Sequence, residues 1–269
     1  KENKSIRKVD IKKIQKYLTG MGNLPERVLT DKEFKGFSNR EMKKAAVSVL
    51  DNYTDLEILL TDTDRCLELI RKQITNPVIT PEQKIICASI LCILGDSQYA
   101  SALAGHIRQQ SRWDKGWHYT GMGQFGMCLS SLDALITALG NAKDPSTLPV
   151  ILEKAGWLEP EDEFSHYRAV SMATGVIHSK EAIPVLAALL TAPGIRFHAL
   201  DSYRTARKET VPDWNDVSTR NIALKELHLA RALYLCGDKD GLGKEVLQRY
   251  ADGLQGHYAR YAKELLNAD

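Results

Sequence analysis

The 269-residue sequence lacks most of the signatures by which a catalytic or membrane protein is recognised. No apolar run approaches the roughly 20 residues of a membrane-spanning helix, which argues against a membrane-embedded role. There is no G-x-S-x-G, no H-E-x-x-H and no P-loop, so the commonest serine-hydrolase, zinc-protease and nucleotide-hydrolysing sites find no anchor. An excess of either charge is also missing: 36 basic and 34 acidic residues leave a formal net charge of +2. Proteins that grip nucleic acid by its phosphates carry a basic excess or stripe, so that class is disfavoured. The five cysteines (Cys66, Cys87, Cys92, Cys128 and Cys236) are odd in number and form no C-x-x-C. Each sits in an apolar helical pattern, as in "KIICASILCIL", and no Cys/His pair has metal-ligand spacing, so we expect buried, reduced thiols. The chain opens at Lys1 without an apolar leader, which suits an excised piece and leaves a cytoplasmic or periplasmic location open.

What is present is amphipathic helix. Leu129, Leu132, Leu135, Ile136 and Leu139 keep the 3/4 spacing of one helical face. Leu148, Ile151, Leu152 and Ala155 repeat it after Pro145 and Ser146, a good helix start. Further such faces are Ala169, Ala173, Val176 and Ile177, then Ile183, Leu186 and Leu190, and finally Tyr258, Tyr261, Ala262 and Leu265. No segment alternates as a half-buried strand would, so the fold class is all-α. The helices come in pairs joined by turns such as "LGDS", "LGNAKDPS" and "CGDKDG", with Gly95, Gly140 and Gly237 placed as left-handed helix caps. From Gly95 to Gly140 is 45 residues, from Gly140 to the corresponding His178 is 38, and from His178 to Gly237 is 59.

A two-helix period of about 40–47 residues is that of HEAT and armadillo arrays. "AVSMATGVIHSKEAIPVLAALL" and "ASILCILGDSQYASALAGHI" resemble HEAT-type repeats. The resemblance covers residues 39 to 267 and implies an α-α superhelix, a HEAT-like solenoid with two loop insertions. Residues 1–38 read as an N-terminal charged arm or linker, and 39–269 as the repeat domain.

The stretch "YTGMGQFG" contains Gly121, Gly123 and Gly126 in the G-x-G-x-x-G spacing of a dinucleotide-binding turn. That turn needs a buried strand ahead of its first glycine, whereas "WDKGWHYT" is polar and aromatic. The glycines are therefore read as letting a loop bend into a helix start; the backbone N–H groups of Phe125 and Gly126 could at most receive an anionic group. A second resemblance rests on "IRKVDIKKIQKYL" and "WHYTGMGQFGMCLSSLDALITALG". These are similar to the C-terminal helical region of bacterial FAD-dependent oxidoreductases of the xanthan lyase type. In that family a flavin-binding domain precedes the helices, and its flavin motif matches no position here. The resemblance thus implies no cofactor in this chain, with FAD only where an upstream domain exists.

The acids of "EPEDEFSH" (Glu159, Glu161, Asp162 and Glu163) suit a helix N-terminus. His106, His228 and His257 lie in helical patterns and read as surface or satisfied core residues. Functional interest falls on the insertions at 111–124 and 193–216. The first carries Trp113, Trp117, His118 and Tyr119, together with Arg112, Asp114 and Lys115. The second carries Arg196, His198, Asp201, Tyr203, Arg204, Arg207 and Trp214. Only Trp157 among the four tryptophans lies outside them. Aromatics beside Arg and His suit a protein partner or upstream domain, an anionic group or a sugar; equally they can plug the array as a satellite core. Both insertions follow a second helix, at Gln110 and Ala192, so they should leave from one edge and touch. Trp117, His118, Arg204 and Arg207 would then meet any ligand first. The functional expectation is a non-catalytic interaction or accessory domain. A HEAT-scaffold binder or enzyme acting on nucleic acid, like a HEAT-type DNA glycosylase, or on carbohydrate is the alternative.

Overall fold

The computed structural model describes residues 37–52, 55–114, 130–196, 218–253 and 256–267. Among these residues there are twelve α-helices and no strand, so the chain is all-α. The described residues fall into two compact units, one drawn from 1–111 with 128–147 and one from 112–127 with 148–269. No described helix is long and apolar enough to cross a membrane.

The first unit holds α1 (Asn39–Asn52), α2 (Leu56–Leu60), α3 (Thr63–Ile74), α4 (Pro81–Ile93), α5 (Ala100–Gln109) and α6 (Ser131–Asn141). Helix α4 starts where its sequence dictates. Thr80 and Gln83 exchange side-chain and backbone hydrogen bonds in a capping box, with Pro81 in the first turn. Helix α6 begins on a second box, Ser130 with Asp133, and buries an almost continuous face from Leu132 to Gly140. Cys66, Cys87 and Cys92 sit in this unit as buried free thiols, each pushed up to about 12 chiefly by burial.

The second unit holds α7 (Leu148–Ala155), α8 (Phe164–Ile177), α9 (Ile183–Thr191), α10 (Ser218–Leu235), α11 (Leu242–Gly253) and α12 (His257–Leu266). Its core gathers Leu148, Val170, Leu186, Leu190, Leu229, Leu233, Val246 and Leu247. Each such side chain contributes about 1.5–3 kcal/mol by leaving water. Cys236 is buried and free here, its thiol raised to about 11. Cys128 lies outside the described residues.

One turn recurs. A helix ends on a left-handed residue, an Asp or Ser follows and caps, and the chain turns into the next element. Gly95 (φ 86°) precedes Asp96, whose side chain accepts the Gln98 N–H at 3.0 Å. His178 (φ 57°) precedes Ser179, which accepts the Glu181 N–H. Gly237 (φ 107°) precedes Asp238, whose carboxylate accepts the N–H groups of Gly243 and Lys244 at 2.7 and 2.9 Å. The Asp96 N–H reaches Leu91 O and the Asp238 N–H reaches Leu233 O, closing two helix ends in the same way.

Gly140 departs from expectation. It is buried inside α6, and the left-handed position is Lys143 (φ 55°), followed by Asp144, which accepts the Ser146 N–H at 3.0 Å. The helix runs past Gly140 because the Leu139 and Gly140 carbonyls still find partners, the N–H groups of Ala142 and Lys143. The true turn positions are thus Gly95, Lys143, His178 and Gly237, at intervals of 48, 35 and 59 residues.

Candidate functional site

Of the expected site residues, Trp113 and Arg196 are described, both in the second unit. Trp117, His118, Tyr119, His198, Tyr203, Arg204, Arg207 and Trp214 lie outside the described residues, as do the glycine triplet and the expected contact between the insertions.

Trp113 is half-buried and built into the wall of its unit. Its indole N–H donates to the Lys154 carbonyl at 3.2 Å, and its ring lies 4.4 Å from the His166 ring at 30°. That carbonyl belongs to the last turn of α7, where helix carbonyls lose their intrahelical partners. It also accepts the Trp157 N–H at 3.1 Å. The Lys154 side chain is fully buried. Its ammonium stands 3.7 Å from the Trp157 ring centroid and 3.1 Å from the Glu153 carboxylate. A buried cation is tolerable only with such matching. Trp113 is thus packed against the core of its unit.

The connection from α7 to α8 is a meeting point. The Lys225 ammonium, from α10, donates to the Pro160 carbonyl at 2.8 Å and sits 4.9 Å from the Tyr167 ring. The Tyr167 hydroxyl donates to Glu159 O at 2.7 Å. Burial pushes the Lys225 pKa down, while Asp162, Glu161 and Glu163 push it back up. Burial and the same acidic loop raise Tyr167. The acid cluster thus does more than complement a helix dipole. Asp162 accepts the Glu159 N–H at 2.8 Å, and Glu163, the residue preceding α8, approaches His166 Nε2 at 3.6 Å without capping the helix through its side chain. Gly194 (φ 87°) passes the same connection, and a Cβ added there would stand 3.8 Å from Pro160 Cβ. Trp113 thus meets the helices on either side of this connection, and Gly194 the connection itself.

Beyond Gly194, Ile195 is buried in the core and Arg196 turns to α11, its Nη2 lying 3.2 and 3.3 Å from the two Glu245 carboxylate oxygens. This pair edges a cleft of about 370 Å³, lined on one side by Pro184, Ala188 and Thr191 of α9 and on the other by Lys239 and Leu242. Its lining combines apolar residues with side chains of both charges.

Sequence reasoning passed over Lys154, Trp157, His166, Tyr167, Lys225 and Glu226. Their signal was present: in "NIALKELHLA", Lys225 and Glu226 interrupt a stripe that burial demands be apolar. Glu226 is buried against the Tyr250 hydroxyl, which donates to its carboxylate at 2.8 Å.

No group of three or more metal-ligating side chains occurs among the described residues. Comparison of the chain with protein-family models, with curated proteins and with solved structures returned no match.

Proposed function

We propose that the chain is a non-catalytic helical-repeat interaction domain, its pairs stacked as a HEAT-like α-solenoid, that serves as an accessory domain to an FAD-dependent oxidoreductase-like polypeptide. The recurring turn carries this reading: four helix ends share a left-handed residue followed by an Asp or Ser cap, the mark of a repeated helix-pair unit. Repeat scaffolds of this kind present surfaces and leave chemistry to their partners. The buried polar groups of the second unit fit that division, because Lys154, Lys225 and Glu226 are occupied with internal partners. The flavoenzyme association rests on the sequence resemblance alone.

The test mixes the chain with a flavin-binding domain of the resembled oxidoreductases and follows the mass of the eluting species by light scattering. Co-elution at equal stoichiometry, lost in an R204E/R207E double variant, is the expected result. Separate elution at micromolar concentrations would remove the accessory reading. Salt-sensitive binding to duplex DNA, or saturable binding to a glycan, would move the assignment to the corresponding alternative.

A further inference from the structure

Several ionic side chains of the second unit are matched from within, as Lys154, Lys225, Arg196 and Glu226 show. A group of side chains at α8, α10 and α12 is not. His228 and Arg231 stand three residues apart on α10, on one helix face. Tyr261 comes from α12, its ring 6.2 Å from that of His228. All three are half-buried, and none has a hydrogen-bond or ion-pair partner among the described residues. His228 Nδ1 is sealed from solvent, although the residue as a whole keeps an open edge.

The half-buried Arg231 guanidinium keeps contact with solvent but has no carboxylate as counter-charge among the described residues. The fold nevertheless makes room for it. Helix α8 places Gly175 against Arg231, and a Cβ there would stand 3.4 Å from Nη1 of that arginine and 3.4 Å from Leu235 Cδ1. Alanine would be the better helix former at such a position by about 0.5–1 kcal/mol. Arg168 from α8 and Arg231 from α10 both act on the imidazole, burial raises the Tyr261 phenol of α12, and Phe164 of α8 stands 5.5 Å from the His228 ring.

We infer that Arg231, His228 and Tyr261 form a site for one oxyanion, a carboxylate or a phosphate group, between α8, α10 and α12. The planar guanidinium fork matches two oxygens of either group, and the phenol hydroxyl and imidazole N–H are further donors. The anion supplies the counter-charge that Arg231 lacks. The site stands independently of the flavoenzyme association, and a free metabolite or a partner's acidic side chain would present the same chemistry.

The experiment titrates the isotopically labelled 269-residue chain with inorganic phosphate and, separately, with acetate, following the His228 ring and Arg231 side-chain resonances. Saturable shifts with at least one of the two anions are expected, and the arm that saturates tells phosphate from carboxylate. Binding should weaken about tenfold in R231Q, equivalent to about 1.4 kcal/mol, and stay unchanged in R260Q, which removes an exposed cation of α12. G175A keeps every charge but narrows the space beside the guanidinium, and should weaken binding too; it carries the test if R231Q does not fold. Shifts that stay linear with both anions, or equal affinity in wild type, R231Q and G175A, would overturn the site.

Discussion

Buried charge sets the energetics at the scale of single residues. The Lys154 ammonium has the Trp157 ring and the Glu153 carboxylate for company. Trp157→Ala strips away its aromatic face and should cost about 2 kcal/mol or more in urea denaturation. Lys154→Met, which removes the charge itself, should cost clearly less, because an apolar replacement of a buried ion is often neutral. His228 sets a pH limit of the opposite kind. Burial, with Arg168 and Arg231 beside it, lowers its pKa from about 6.5 to about 3. The unfolded chain therefore binds a proton that the folded chain refuses between these values. The stability at stake is fully present above pH 6.5 and is lost progressively as pH falls towards 3, by up to about 1.4 kcal/mol per unit. His228→Phe, placed among the Phe164 and Tyr261 rings, should abolish this part of the slope. An identical acid dependence in wild type and variant, from denaturation midpoints at pH 7, 6, 5 and 4, would show that the histidine plays no such part.

Elements meet through their turns and at their closest approaches. Lys143 occupies a left-handed position that the equivalent turns give to Gly95 and Gly237. Lys143→Gly should therefore leave stability unchanged or raise it by up to about 1 kcal/mol, as strain relief and added chain entropy oppose each other. Gly243→Ala should act far more severely. A Cβ there would stand 2.8 Å from Ala230 O and 3.0 Å from Tyr234 N, so α11 must move off α10. A loss of about 1–3 kcal/mol or more is expected from thermal unfolding. An undisturbed melting temperature in Gly243→Ala would mean the two helices do not approach this closely. Neither effect was legible beforehand. The sequence offered Gly140 as the turn glycine, because glycine after a leucine-rich face is the usual stop signal. Only the continued pairing of the Leu139 and Gly140 carbonyls carries α6 past it.

For the whole molecule, the proposed solenoid makes a prediction about size. A compact 269-residue chain has a radius of gyration of about 18 Å. Small-angle scattering should return a clearly larger value if the helix pairs stack in a row, and a value near 18 Å would remove the solenoid from the proposal. Helical content and the burial of four cysteines as free thiols followed from sequence alone, because 3.6-residue periodicity and small apolar side chains on one face leave a helix little choice. Capping signals were equally local: Thr80 with Gln83, and Ser130 with Asp133, act within one turn of chain. Partnerships across dozens of residues were decided by tertiary structure. Trp113 finds Lys154, Lys225 finds Pro160, Arg196 finds Glu245, and Arg231 rests beside Gly175. A periodic pattern states which face of a helix is buried, but it carries no term for which distant residue will stand opposite. That depends on where each helix pair comes to rest, and there the cost of burying a charge selects the partner.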